Sequence, residues 1–258
     1  MTPERNHWIA VFDSGVGGIS VLRHLRRFLP QEQFLYYGDT ANAPYGSRST
    51  QEVRDLTLSA AKKLTDLRPL KALVVACNTA TAAAVKELRQ QYPELIVIGI
   101  EPALKLAADH FPHGHIGVMA TEVTLREEKF DALLHRFDRD CTIEKIPAPG
   151  LVELVEAGKA DSKEAEALLQ NLLGPYAGKL DALVLGCTHY PFAAEAIRTV
   201  LGSDIPLLDG GEGTARETRR RLQQAGLLEN GPGEVMIRNS SPDPDMLRLS
   251  RERLIQED

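Results

Sequence analysis

Two segments of the chain read almost alike and each carries a thiol: Leu73-Val-Val-Ala-Cys77-Asn-Thr79 and Leu183-Val-Leu-Gly-Cys187-Thr-His189, with the cysteines 110 residues apart. A pair of thiols, one ionised and one protonated, can act as matched base and acid on opposite sides of a carbon. One sulfur removes a proton from one face, the other returns a proton to the opposite face, and the stereocentre is inverted. A sulfur placed where a strand leads into a helix is suited to this, because backbone N–H groups and the positive end of the helix dipole favour thiolate. Asp13, Glu153 and His189 are the candidate groups for exchanging the proton. Taken singly, each has an ordinary reading: Asp13 as a turn or helix cap, Glu153 as a solvated helix residue, His189 as a structural histidine. Their coincidence with a duplicated cysteine motif selects the catalytic reading.

Short apolar runs and helix-length amphipathic stretches alternate along the chain and must position these groups. Trp8–Phe12 ends at Asp13-Ser14-Gly15-Val16-Gly17-Gly18 and passes into helical spacing at Ile19, Leu22, Leu25 and Leu29, which is strand, glycine turn and helix. Further strands are expected at Phe34–Tyr37, Ala72–Val75, Ile96–Ile100, Ile116–Met119, Ala182–Leu185 and Pro206–Leu208, with helices over Thr50–Leu67 and Thr79–Gln91. The tail reads as a last strand at Glu234–Ile237, a turn and a capped helix. The pattern predicts an α/β protein of mainly parallel sheets flanked by helices, with ligands bound beyond the carboxyl ends of strands. The repeated motif predicts two half-molecules, each presenting one thiol to a shared cleft. Residues 1–100 plus 209–258 are expected to form one lobe and residues 101–208 the other.

Composition narrows the function classes. The chain has 258 residues, 43% of them apolar and 26% charged, as in an ordinary globular protein. A net charge of −6 gives nucleic-acid binding no support, and the one basic cluster, Arg216 with Arg219, Arg220 and Arg221, falls in a helical pattern that reads as a solvated face. No apolar run reaches the roughly 18 residues of a membrane helix, and Met1 to His7 lack the apolar core of a signal peptide, so the expected compartment is the cytoplasm. Three widely spaced cysteines cannot complete a disulfide framework, and Cys141, without a motif around it, reads as a bystander. The glycine loop 15–18 lacks the further glycine of a dinucleotide fingerprint, since Ser20 stands there, and His110, His113 and His115 have no carboxylate or cysteine at zinc spacing. Neither a nucleotide cofactor nor a metal is expected.

Taken together, Phe12-Asp-Ser-Gly-Val-Gly-Gly18, Gly38-Asp-Thr-Ala-Asn-Ala-Pro-Tyr-Gly46, Val75-Ala-Cys-Asn-Thr79, Gly117-Val-Met-Ala-Thr121, Leu151-Val-Glu-Leu154 and Leu185-Gly-Cys-Thr-His-Tyr-Pro191 resemble the bacterial glutamate racemases, in order and over nearly the whole chain. The resemblance implies two pseudo-symmetric α/β lobes with the active site in the cleft between them, no cofactor, a homodimer, and interconversion of L- and D-glutamate to supply D-glutamate for peptidoglycan. It implies that Cys77 and Cys187 are the catalytic thiols, serving D- and L-glutamate respectively, with Asp13 beside the first and Glu153 and His189 beside the second. It further implies that Ser14, Asn78, Thr79, Thr121 and Thr188 hold the amino-acid head group, Asp13 adjoining it, while Pro44, Tyr45 and Gly46 meet the distal carboxylate. The chain departs from the family pattern at Ala41-Asn42-Ala43, at Glu127 and at Ala148-Pro149-Gly150, on the pocket rim and away from the thiols and bases. The rivals are an aspartate racemase, whose second motif resembles Gly-Cys-Thr-Glu where this chain has His189, and a catalytically silent relative that binds a dicarboxylate or a protein.

Overall fold

The apolar runs become strands with helices between them in the computed structural model, which describes residues 2–126, 128–135, 137 and 141–255; Glu127 and Arg139 lie outside the described residues. The chain divides into two units, Met1–Glu101 with Gly211–Asp258, and Pro102–Gly210. In the first, β1 (Trp8–Asp13), β2 (Phe34–Gly38), β3 (Leu70–Val75), β4 (Ile96–Gly99) and the last strand, β9 (Val235–Asn239), form one sheet in the order β4-β3-β1-β2-β9. In the second, β5 (His115–Ala120), β6 (Thr142–Pro147), β7 (Ala182–Leu185) and β8 (Leu207–Asp209) are ordered β6-β5-β7-β8. The pairings in both sheets are parallel. Parallel neighbours need a crossover of a dozen or more residues, which explains why a helix-length segment separates most successive strands.

Burial on both faces accounts for the continuous apolar runs. On one face of the first sheet, Ala10, Phe12, Leu35, Tyr37, Leu73 and Val75 pack with Val53, Ala60 and Leu64 of helix Thr50–Leu67 and Ala80 and Leu88 of helix Asn78–Gln91. The strand period of two sends Ile9, Val11, Phe34, Tyr36 and Val74 to the opposite face, where they are equally buried. Helix Ile19–Phe28 packs there with Gly211–Gln224 and Pro244–Ile255. In the second unit Ile116, Val118, Ala120 and Val184 pack with Leu104, Ala107, Phe130 and Leu134. Cys141 joins this core and its thiol donates to the Phe111 carbonyl at 3.4 Å, a structural place for the third cysteine. Arg216 and Arg220 pair with Glu212 and Glu217 of their own helix, as a solvated face would. Among the described residues no helix is long and apolar enough to cross a membrane.

One strand residue breaks the apolar run. Lys71 in β3 is fully buried, and its ammonium lies 2.5 Å from Glu32 Oε2, 3.8 Å from Glu229 Oε2 and 3.1 Å from the Leu227 carbonyl, with the Arg5 carbonyl as a further acceptor. One cation thus ties together the segment before β1, the loop before β2 and the segment after helix Gly211–Gln224. Removing one partner of a buried pair strands the other charge, so Lys71→Ala is expected to cost about 3–5 kcal/mol of stability. Urea unfolding of Lys71→Ala, Glu32→Ala and the double variant checks this, because stranding predicts a double cost well below the sum of the singles.

Candidate active site

At the carboxyl end of β1 the chain must turn sharply into a helix while keeping a carboxylate indoors. Asp13 is fully buried and its Oδ1 accepts the Gly15 N–H at 2.9 Å. The turn closes because residue 18 is glycine: a Cβ there would lie 2.5 Å from the Asp13 Cβ. Next to it, Ala76 extends the ladder past β3 by donating its N–H to the Phe12 carbonyl at 2.8 Å, which delivers Cys77 beside Ser14, with the sulfur 3.6 Å from Ser14 Oγ. Cys77 is also the N-cap of helix Asn78–Gln91, its sulfur accepting the Ala80 N–H at 3.4 Å. A donated N–H and the positive end of a four-turn helix stabilise negative charge on that sulfur.

In the helix's first turn, Asn78 and Thr79 are buried, and Asn78 Oδ1 makes no hydrogen bond with the protein. A buried acceptor left unmet costs roughly 1–3 kcal/mol, which a ligand's N–H or O–H donor would relieve. The segment after β2 adds Tyr45, reached through a cis Ala43–Pro44 bond. Its buried hydroxyl donates to Asp39 Oδ2 at 2.7 Å, while the Asn42 side-chain amide donates to both Asp39 oxygens at 3.1 and 3.0 Å. Burial, then the charge of Asp39 and the hydrogen bond to it, then the charges of Cys77 and Asp13, raise the Tyr45 pKa far above the ordinary tyrosine value, so it stays a neutral donor. Asp13, Asp39, Tyr45 and Cys77 therefore form one electrostatic neighbourhood at the ends of β1, β2 and β3, with Ser14 hydrogen-bonded to the Cys77 sulfur.

The second unit repeats the arrangement with a different partner for its thiol. Gly186 donates to the Met119 carbonyl at 2.7 Å, the counterpart of the Ala76 bond, and here the residue before the cysteine must be glycine because a Cβ would lie 2.9 Å from that of Ala120. Cys187, Thr188 and His189 follow, all buried. The chain then enters a single turn, Tyr190–Ala193, before helix Ala194–Leu201, so Cys187 caps no helix. Its sulfur lies instead 3.7 Å from His189 Nδ1, and His189 Nε2 lies 2.6 Å from Glu156 Oε1. Burial pushes the His189 pKa down, but the hydrogen bonds to Cys187 and Glu156, and then their charges, push harder the other way and hold the imidazolium well above the ordinary histidine range. On the neighbouring strand, Thr121 follows β5, its Oγ1 within 3.0 Å of Thr124 Oγ1.

The structure separates two carboxylates that share helix Leu151–Glu156. Glu153, the one expected beside His189, is exposed, and its charge acts on Tyr190, whose pKa is raised first by burial, then by Cys187 and then by Glu153. Glu156, which sequence reasoning missed, makes the histidine contact. Helical periodicity holds the signal: Leu151, Val152 and Val155 mark the buried face, Glu156 sits one turn after Val152, and Glu153 points roughly 150° from the centre of that face. The histidine group 110–115 has a different fate. His115 Nδ1 and Nε2 lie 2.9 Å from the Lys179 carbonyl and 3.2 Å from Glu144 Oε1, and among the described residues no three His, Cys, Asp or Glu side chains form a group able to hold a metal ion.

Each unit thus presents a thiol at a strand end: one beside the Ser14 hydroxyl and accepting a helix N–H, the other beside a histidine paired with a carboxylate. Such thiols can take up and release protons. Residues 17–218 match the family described as Asp/Glu/Hydantoin racemase. The glutamate racemase of Clostridium acetobutylicum is 47% identical over 253 residues, 97% of this chain and 98% of that protein. Among solved structures, glutamate racemase from Escherichia coli in complex with L-glutamate and the activator UDP-MurNAc-Ala superimposes with a TM-score of 0.81 at 31% identity, covering 99% of this chain and 93% of its own. The enzyme from Francisella tularensis in complex with D-glutamate does so with a TM-score of 0.83 at 27% identity, over 98% and 95%.

Proposed function

The chain belongs to the Asp/Glu/hydantoin racemase family, and from that premise we propose that it interconverts L- and D-glutamate by proton transfer at the α-carbon between Cys77 and Cys187. One sulfur, as thiolate, takes the α-hydrogen and becomes a thiol; the other, as thiol, gives its proton to the opposite face and becomes a thiolate. The observation that carries the reading is the matched placement of the two cysteines, each one residue beyond the same ladder bond in its own sheet and each given a partner that stabilises negative sulfur. Asp13 exchanges protons on the Cys77 side. On the Cys187 side His189 does so, and Glu156 takes the role expected of Glu153.

A carbanion-like transition state puts charge on the substrate's α-carboxylate, so donors aimed there lower the barrier. Ser14, Asn78, Thr79, Thr121 and Thr188 supply hydroxyls and amides for the head group, and the Pro44-Tyr45-Gly46 turn meets the distal carboxylate. That neighbours are crystallised with L-glutamate and with D-glutamate supports the substrate. Supply of D-glutamate for peptidoglycan, in the cytoplasm and by a homodimer, belongs to the same reading through the family resemblance.

The test is the circular dichroism of L-glutamate incubated with the protein after exhaustive dialysis against a chelator. The signal is expected to decay to zero without any added cofactor. Aspartate, one methylene shorter, leaves the distal donors unpaired at roughly 1–3 kcal/mol per group, so its kcat/KM is expected to be at least about tenfold lower. An undiminished glutamate signal leaves a silent binding protein, and equal turnover of aspartate rejects the glutamate assignment.

A further inference from the structure

We propose that Asn239 and Ser240, at the end of the last strand, are positioning residues for the Pro44–Gly46 turn, which they hold through bonds to Thr40 and Ala41, 199 positions away in the chain. β9 runs parallel to β2, with Asn239 level with Gly38, and the Ser240 N–H donates to the Gly38 carbonyl at 2.9 Å. Backbone pairing ends there and side chains take over. Asn239 Nδ2 donates to Thr40 Oγ1 at 3.0 Å, and Ser240 Oγ accepts the Ala41 N–H at 3.0 Å. Asn239 Oδ1 accepts the Ser241 N–H at 2.8 Å, so both ends of the amide are engaged and its orientation is fixed.

Thr40 and Ala41 open the short turn Thr40–Asn42, which is closed by the Asn42 N–H to the Asp39 carbonyl at 2.9 Å and the Ala43 N–H to the Thr40 carbonyl at 3.1 Å. That turn carries Asn42 to the Asp39 carboxylate, and the same carboxylate receives the Tyr45 hydroxyl. The route from the tail to Tyr45 therefore consists of hydrogen bonds throughout: Asn239 and Ser240 to residues 40 and 41, the turn to Asn42, and Asp39 to Tyr45. Residues 43–47 have no strand or longer helix to fix them, since Tyr45–Ser47 is a single turn. The five register pairs between β2 and β9 hold the last strand without help from these two side chains. Removing the side-chain bonds thus loosens the turn and leaves the sheet in place.

This rests on the reading that the turn meets the distal carboxylate of glutamate. The experiment compares the full-length parent, the Asn239→Ala/Ser240→Ala double variant and Ser240→Thr, which keeps the hydroxyl. The double variant is expected to raise KM for both enantiomers about three- to tenfold, the worth of one or two ordinary hydrogen bonds, while kcat barely changes and the far-ultraviolet spectrum is unaltered. Amide exchange followed by mass spectrometry is expected to quicken in peptide 39–48, and Ser240→Thr to behave as the parent. Faster exchange with unchanged KM, a fall in kcat at constant KM, or no change in either overturns the proposal while the racemase reading stands. A parent that does not racemise glutamate overturns both. Should the double variant fail to fold, Ser240→Ala alone carries the same comparison.

Discussion

Replacing either Cys77 or Cys187 by Ser is expected to abolish racemisation, a loss of at least about 10²–10⁴-fold, the usual contribution of a placed acid or base. Each variant is nevertheless expected to exchange the α-hydrogen of one enantiomer. The argument is geometric: each thiol addresses one face of the bound carbon, so a surviving thiolate removes the hydrogen that points at it and returns a solvent-derived proton to the same face. On the assignment that the family resemblance implies, with Cys77 serving D-glutamate and Cys187 serving L-glutamate, Cys187→Ser is expected to wash deuterium into D-glutamate and leave L-glutamate untouched, and Cys77→Ser to do the converse. The two should differ in rate as well, since the Cys77 sulfur retains its helix N–H whereas the Cys187 sulfur depends on a titrating histidine. Mass spectrometry of each enantiomer recovered from D₂O reads the result. Exchange into both enantiomers by one variant, or undiminished racemisation by either, refutes the two-thiol mechanism.

Glu156→Gln is expected to lower kcat/KM at least about tenfold, toward the low end of what a placed proton-transfer group contributes, whereas Glu153→Gln has a much smaller effect. The Glu156 carboxylate accepts from His189 Nε2, which fixes the ring with Nδ1 toward the Cys187 sulfur, and an amide in its place gives up both the charge and the certainty of the acceptor. L- and D-glutamate have equal free energy in water, so kcat/KM must fall by the same factor in both directions, and only kcat and KM separately can become lopsided. The lopsidedness marks the Cys187 side as the damaged one. The pH dependence follows from the raised His189 value. The imidazolium, and with it the proton His189 can donate, persists below that value and is lost as pH rises through it. Glu156→Gln removes one of the raising influences, so the alkaline limb of the kcat/KM profile is expected to move toward neutral pH. If Glu153→Gln produces the larger loss and the limb of Glu156→Gln stays where it was, the relay drawn here is wrong.

Sequence patterning revealed those parts of the structure whose signal is local. β1, β3 and β7 are apolar runs ending in polar residues, and burial on both faces makes such runs conspicuous. The two cysteines, Asp13, Ser14 and His189 follow directly on those runs, so their placement was readable with them. β6 was not. Thr142-Ile-Glu-Lys-Ile-Pro147 forms the sheet edge, exposed or half-buried at every residue but Ile146, and so offers no apolar run. Glu156 was missed because two carboxylates three residues apart look alike until the helix face is set. The bonds from Asn239 and Ser240 to Thr40 and Ala41 join residues 199 apart, and no local pattern predicts such contacts.

The placement of β9 also bears on how the chain comes off the ribosome. Synthesis usually completes domains in order from the amino end. Here the unit made of consecutive residues, Pro102–Gly210, has all four of its strands before the unit that began first has its fifth. Until residues 235–239 emerge, β2, with the sequence Phe-Leu-Tyr-Tyr-Gly, is an unpaired sheet edge. An apolar edge without a charge or a proline is the kind that captures stray strands. The last strand, half-buried and with Arg238 facing solvent, therefore closes the nascent sheet against aggregation as well as extending it.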